Sequence, residues 1–343
     1  MITDSLCEVV QHNCNIADAK HAGNFTMCVY LMKMREYCRW DKGYQCTDTM
    51  SKEEVGEWVT QRELLWTSLE KQSFRPIQID GQSFHPFDTD AINESLLPHS
   101  MVYSGGIGAR CVPHFFLAKL DQKKSYKNYQ VVISSQECAR DLGSPPAMTL
   151  ENNIFVRKEA IRRMLWEKLQ EWQWQKLDNA ASRAFSFYTF DRDINSALDQ
   201  MTEVELQSII LHEKGEFKAG EILGDQWKQL LLNVSNARLE LMLRALKDLY
   251  ADSISTLPVL FGDNRIASIH FYAANFNPMR RQLCPSFMKT YQLWCEDGNL
   301  MKLQAWLSLS ATHWANLCQQ VLFMYADNAS EEIIEQYIEN NQF

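Results

Sequence analysis

Three stretches carry residue types that could hold a metal ion. In EVELQSIILHEKGE, residues 203–216, Glu205, His212 and Glu216 fall at i, i+7 and i+11, nearly one face of a helix. An imidazole and a carboxylate one turn apart can chelate a divalent cation from a single helix. Gly215 predicts a helix end just before Glu216, in which case the pair merely solvates a helix terminus. In NARLELMLRALKDLYAD, residues 236–252, Glu240, Arg244, Asp248 and Asp252 recur every four residues and form one polar stripe. Such a stripe is ordinarily a solvent face with surface ion pairs. Here Leu239, Leu241, Leu243, Leu246 and Tyr250 cover most of the remaining circumference, as on a helix central to a bundle. The stripe then faces inward, and buried carboxylates must be paired or bind a metal. The third stretch, SIHFYAANFNPMRR at 268–281, puts His270 among Ile269, Phe271 and Tyr272. A histidine in that setting is a satisfied core residue unless carboxylates meet it.

These spacings define a candidate site. Its ligands are His212, Glu216, Glu240, Asp248, Asp252 and His270, Arg244 orients a carboxylate, and the cofactor is a divalent metal, iron among the options. The Glu-x-x-His pair of ferritin-like bundles is absent from the segments concerned. The function expected is a metal-dependent oxidoreductase of the non-haem iron type acting on a small molecule. The alternative is a non-catalytic interaction or assembly protein that uses aromatic helical surfaces on a protein partner. Weaker candidates are Gly105, Gly106 and Gly108 in YSGGIGARCVPH, read as a turn, and His85, Asp88 and Asp90 in HPFDTD. Lys20, His21, Gly23 and Asn24 in KHAGN, and Cys138 with Arg140 in ECARD as a thiol beside a cation, complete them.

The elements that must position these residues read as helices over most of the chain. Thirteen Gly and nine Pro in 343 residues are about half the usual share, which disfavours a turn-rich sheet. Ser51 with Glu54 and Thr202 with Glu205 have the spacing of capping boxes, each predicted to open a helix. Residues 225–252 predict the longest helical stretch, closed by Pro258, and helices follow near 266–277, 285–295, 300–325 and 330–341. Between residues 73 and 147 the texture changes: six of the nine prolines fall there, and Pro113–Leu120 and Tyr129–Ser134 read as the strands of a hairpin. The expected architecture is mainly α: an N-terminal helical pair over 1–72, a loop-rich region with a small β-hairpin over 73–156, and a C-terminal helical bundle over 157–343.

Charge and cysteine usage narrow the function classes. Thirty-four basic against 43 acidic residues give a net charge of -9, so no overall positive field draws nucleic acid. The aromatic and basic residues of 157–176 are offset by Glu159, Glu167 and Glu171, as in an amphipathic helix rather than a nucleic-acid groove. No window approaches the roughly 18 apolar residues of a membrane span, and the N-terminus does not have the pattern of an export signal. Ten cysteines without a C-x-x-C pair are expected to be reduced thiols, and a cytoplasmic location follows as an expectation.

Three segments, KMREYCRWDKGY, SSQECARDLGSPPAM, and DLYADSISTLPVLF with SIHFYAANFNPMRR, resemble parts of an uncharacterised bacterial family. The resemblance runs from about Lys33 to Trp294. It implies a bacterial, cytoplasmic origin and carries no activity, cofactor or catalytic residue.

Overall fold

A computed structural model describes residues 2–108 and 111–343, and the chain divides into two compact units. The N-terminal unit comprises Met1–Glu167 with Asp191–Thr202, and the C-terminal unit Lys168–Phe190 with Glu203–Phe343.

The N-terminal unit is built on a sheet. Helices α1 (Ile2–His21), α2 (Met27–Asp41) and α3 (Lys52–Leu69) come first, then strands β1 (Ile77–Ile79) and β2 (Gln82–Phe84), which pair with each other, and α4 (Thr89–Leu96). Strands β3 (Met101–Ile107), β4 (Pro113–Ser125), β5 (Gln130–Arg140), β6 (Ala147–Leu150) and β7 (Asn153–Arg157) make a five-stranded sheet in the order β3-β4-β5-β7-β6. Every pairing is antiparallel except β5 with β7. Helix α5 (Lys158–Gln175) follows. Side-chain alternation gives the sheet two apolar faces. Tyr103, Phe115, Leu117 and Ala139 pack against Leu6, Val10, Cys14 and Ala17 of α1. Val102, Phe116, Ala118, Val132 and Phe155 form a separate cluster. Thr89 and Asn93 of α4 take up backbone groups of β3, Thr89 at Gly105 and Asn93 at Tyr103, so the edge strand is covered rather than open.

This five-stranded sheet overturns the expectation of a mainly α protein whose strands are confined to a small hairpin insertion. The hairpin of β4 and β5 is present, but it is the centre of a sheet and not an insertion. Strands β1, β2 and β6 escaped because they are only three or four residues long. All five residues of β7 (NIFVR) are buried, so it has no apolar–polar alternation, and β3 hides behind its glycines. Gly105 and Gly106 are strand residues, not a turn. A Cβ on Gly105 would sit 2.2 Å from the Pro86 carbonyl oxygen, so glycine admits a neighbouring backbone there. Ala109 and Arg110 of that motif lie outside the described residues.

The C-terminal unit is helical: α6 (Ala180–Phe185), α7 (Ile194–Asn233, which starts in the other unit), α8 (Ala237–Ala251), a π-helical turn at Asp252–Thr256, α9 (Leu257–Gly262), α10 (Ile266–Ala274), α11 (Pro278–Leu283), α12 (Pro285–Asp297), α13 (Leu300–Ala326) and α14 (Glu331–Asn340). Helix α8 supplies Leu239, Met242, Leu243, Leu246 and Leu249 to a core shared with Phe287, Trp306, Trp314 and Ile334. Three helix boundaries differ from expectation. Thr202 lies inside α7 and bonds back to the Leu198 carbonyl at 2.6 Å, instead of capping a new helix. The stretch 225–252 breaks before Asn236, whose side chain caps α8. Helix α7 passes through Gly215 and bends instead at Gly224, where φ is 70°.

Candidate functional site

Gly215 matters because of what lies against it. A Cβ there would come within 2.5 Å of the Ala251 carbonyl oxygen, so α7 and the end of α8 approach closely only with glycine at this position. The Ser255 hydroxyl adds a 2.7 Å bond to the Leu211 carbonyl. This contact sets His212 and Glu216 of α7 opposite Asp248 of α8 and Asp252 of the π-helical turn.

His212 is the hinge of the cluster. Its Nδ1 lies 2.8 Å from Asp252 Oδ1, and its Nε2 lies 3.2 Å from Glu216 Oε1. Asp252 is 1% exposed and richly held: Thr256 donates to Oδ1 at 2.7 Å, while Tyr272 at 3.0 Å and Arg280 at 3.1 Å donate to Oδ2. Burial opposes the charge of Asp252, but His212 and Arg280 outweigh it and keep its pKa below the usual carboxylate range. An ionised Asp252 only accepts hydrogen bonds, so Nδ1 carries the proton facing it. The other imidazole nitrogen is left to face Glu216.

The two remaining carboxylates face each other. Ligand-capable oxygens of Asp248 and Glu216 lie within 4.8 Å of each other. Burial chiefly raises the pKa of Asp248, against the pull of Arg280. Glu216 is lowered: burial opposes its charge, but His212 and Lys247 win. Arg280 Nη2 lies 2.8 Å from Asp248 Oδ2, and Lys247 Nζ lies 3.3 Å from Glu216 Oε2. One ligand-capable atom from each of His212, Glu216 and Asp248 lies within 4.8 Å of the others. Their side chains are 27%, 28% and 26% exposed, so solvent and ions reach them.

The structure gathers four of the sequence candidates, His212, Glu216, Asp248 and Asp252, and leaves three apart. Glu240 and Arg244 form an ordinary i,i+4 ion pair at 2.8 Å, with the Arg244 side chain 40% exposed. His270 sits among the rings of Phe187, Tyr291 and Trp294, with Nδ1 2.8 Å from the Tyr291 hydroxyl. Burial, helped by Arg183, lowers its pKa to about 4. Glu205 is also separate: it accepts from Ser268 at 2.9 Å, and burial raises its pKa to about 7.

Sequence reasoning missed Lys247, Arg280, Tyr272 and Thr256. Arg280 had a local signal, since Asn277 followed by Pro278 opens a helix whose capping side chain accepts from the Arg280 amide. Nothing local pairs it with Asp248, 32 residues earlier in the chain.

Family models match residues 5–157 to the N-terminal domain, and residues 162–341 to the C-terminal domain, of a family of unknown function (DUF6866). No curated protein and no solved structure matches the chain.

Proposed function

The chain belongs to the DUF6866 family of unknown function, and we propose that its C-terminal unit binds one divalent cation through His212, Glu216 and Asp248 and uses it in a metal-dependent reaction on a small molecule. The observation that carries this reading is the convergence of three donor atoms within 4.8 Å, with Asp252 engaging the far side of the imidazole. Cation-free, the raised pKa of His212 keeps both ring nitrogens protonated; a cation would displace the proton at Nε2 while the carboxylate on Nδ1–H holds the ring, the arrangement found behind metal-bound histidines. Two carboxylates within 4.8 Å of each other are stabilised by a proton or a cation between them, because two bare anions repel. Arg280 and Lys247 hold the outer oxygens of these carboxylates, which orients them.

One imidazole and two carboxylates suit iron(II), manganese(II) or zinc(II). Three protein ligands leave positions for water and substrate, as catalytic rather than structural sites do. A cation there would supply Lewis acidity or, as iron, redox chemistry, the latter making the protein an oxidoreductase. In this reading Asp252 is a positioning residue for His212, and Glu240, Arg244 and His270 take no part.

The test is elemental analysis of protein purified without a metal-binding tag, followed by chelator treatment and calorimetric titration with manganese(II), iron(II) and zinc(II). About one equivalent should bind. His212→Gln and Asp248→Asn should each abolish binding with helicity retained, and Asp252→Asn should weaken it about 10- to 100-fold. Protein that neither carries a cation nor takes one up would make the cluster a purely structural clamp. The interaction reading would then stand on exposed apolar residues of this unit such as Leu232, Met301 and Leu309.

A further inference from the structure

The N-terminal unit contains a cavity of about 830 Å³, open to solvent, with both charged and apolar walls. Three of its lining residues are cysteines: Cys7 from α1, Cys138 from β5, and Cys46, whose sulfur accepts from Arg162 Nη1 at 2.9 Å. Cys7 and Cys138 pack on the same apolar cluster, and one turn on from Cys7 the Gln11 side chain is bonded to both backbone groups of Arg140 at 3.1 Å, which ties α1 to β5 beside Cys138. Cys7 and Cys138 are half-buried and free, as are Cys46 and Cys295, whereas Cys14, Cys38, Cys284 and Cys318 are fully buried and Cys28 and Cys111 are exposed.

The surroundings divide the labour between the two sulfurs. Cys138 has Cys7 and Lys119 of β4 beside it; Glu137 of β5 and Glu159 of α5 are its acidic neighbours. Cys7, more than the lysine, brings its pKa down to about 7 against the effect of burial. Cys138, then burial and the nearby Asp4, push the Cys7 thiol up. Near neutrality Cys138 is thus partly thiolate, with the Cys7 thiol beside it at the wall of an open cavity. Reactive dithiols share this division: one sulfur attacks and its neighbour resolves.

We propose that Cys138 and Cys7 form a redox-active dithiol that reduces a low-molecular-weight disulfide entering this cavity. The volume is that of sites enclosing a whole small organic molecule. His12, Arg162 and Arg163 in the wall offer polar and cationic contacts to such a molecule. In the first step the Cys138 thiolate attacks one sulfur of the substrate; the substrate S–S bond breaks, and a mixed disulfide forms as one substrate thiolate leaves. That leaving thiolate takes the Cys7 proton. Cys7 then attacks the Cys138 sulfur, forming the Cys7–Cys138 bond and expelling the second substrate thiolate, which is protonated by water. The two cysteines are oxidised by two electrons and the substrate disulfide is reduced to two thiols, so no further oxidant is needed.

The experiment uses the full chain with oxidised glutathione as the probe, acid quenching and peptide mapping. Wild type should yield a Cys7–Cys138 disulfide with two equivalents of released thiol. Cys7→Ser should stop at glutathione bound to Cys138, and Cys138→Ser should give neither product. With iodoacetamide at pH 7, Cys138 should react about tenfold faster than Cys28 and Cys111, reflecting its larger thiolate fraction. Absence of the 7–138 linkage in wild type, or a Cys138 rate no higher than those two exposed thiols, would overturn the proposal. The wild-type map decides the matter even where a serine variant folds poorly, and none of these readouts depends on cation binding in the other unit.

Discussion

In the N-terminal unit the central buried charges are Arg157 and Glu137, both 0% exposed at the side chain and 2.7 Å apart, with the guanidinium 4.4 Å from the Phe116 ring centroid. In the C-terminal unit they are a histidine, a lysine and an arginine interleaved with three carboxylates, and several of these side chains are about a quarter exposed. In the first arrangement neither charged side chain is exposed, and Arg157 is anchored at the end of a wholly buried strand. The second has a histidine at its centre and a route to solvent, so a proton or a cation can enter and leave. Buried charge is therefore weak evidence for a reactive site until a group that can exchange its partner is found within it.

Removing Arg157 is the harshest way to break this comparison. Arg157→Met leaves Glu137 buried without its closest partner, and the expected loss is about 3–5 kcal/mol in denaturant unfolding. Adding Glu137→Leu should recover much of that loss, since an apolar pair of similar volume can replace a buried ion pair. A single variant as stable as wild type would mean that the pair is not the keystone of this unit.

The pH dependence of stability sharpens the contrast with an intermediate effect. Burial opposes the charge on His212, but Asp252 and Glu216 outweigh it, and its pKa is raised well above 6.5. The stability it contributes is thus complete below about pH 6.5 and is lost as pH rises through the folded-state pKa. Asp252 and Glu216 are depressed, so their contribution is present above the unfolded carboxylate range and is lost as pH falls through their folded values. His12, His114, His270 and His313 are lowered chiefly by burial and act in the opposite sense to His212. Subtracting the profile of His212→Gln cancels them. Cation-free wild type should lose its advantage over that variant on the alkaline side, and saturating manganese(II) should restore it. A difference that stays flat from pH 6 to 10 would remove His212 from the network.

The smallest effect is expected at the outer half of the α8 stripe. Arg244→Ala should change stability by less than about 0.5 kcal/mol, because a partly exposed i,i+4 pair contributes little. Cation affinity should be unchanged. A loss of binding in that variant would contradict the division of the stripe into an outer pair and an inner pair.

The stripe shows how much of the site was legible. Four-residue spacing put Glu240, Arg244, Asp248 and Asp252 on one face, and the apolar remainder of the helix marked it as central. Periodicity cannot say where along its length a helix leaves the surface. That is why spacing offers Arg244 as the carboxylate partner, when Arg280 fills that role. His270 misled for a related reason. Its place on an apolar helix was correct, but its partners are rings from other elements.

By itself the sequence determined what local chemistry dictates: the Ser51 and Ser330 caps, the β4–β5 hairpin and the helical run of the C-terminal half. No described helix is long and apolar enough to cross a membrane, as hydropathy indicated. Tertiary structure decided the rest. The strands β3 and β7 are recognisable only once partners supply their hydrogen bonds, because a buried apolar run has no period of its own. The meeting of His212 with Asp252, 40 residues away, and of Cys7 with Cys138 depends on which surfaces pack together. That choice is made by burial summed over whole elements, and no spacing within a single element encodes it.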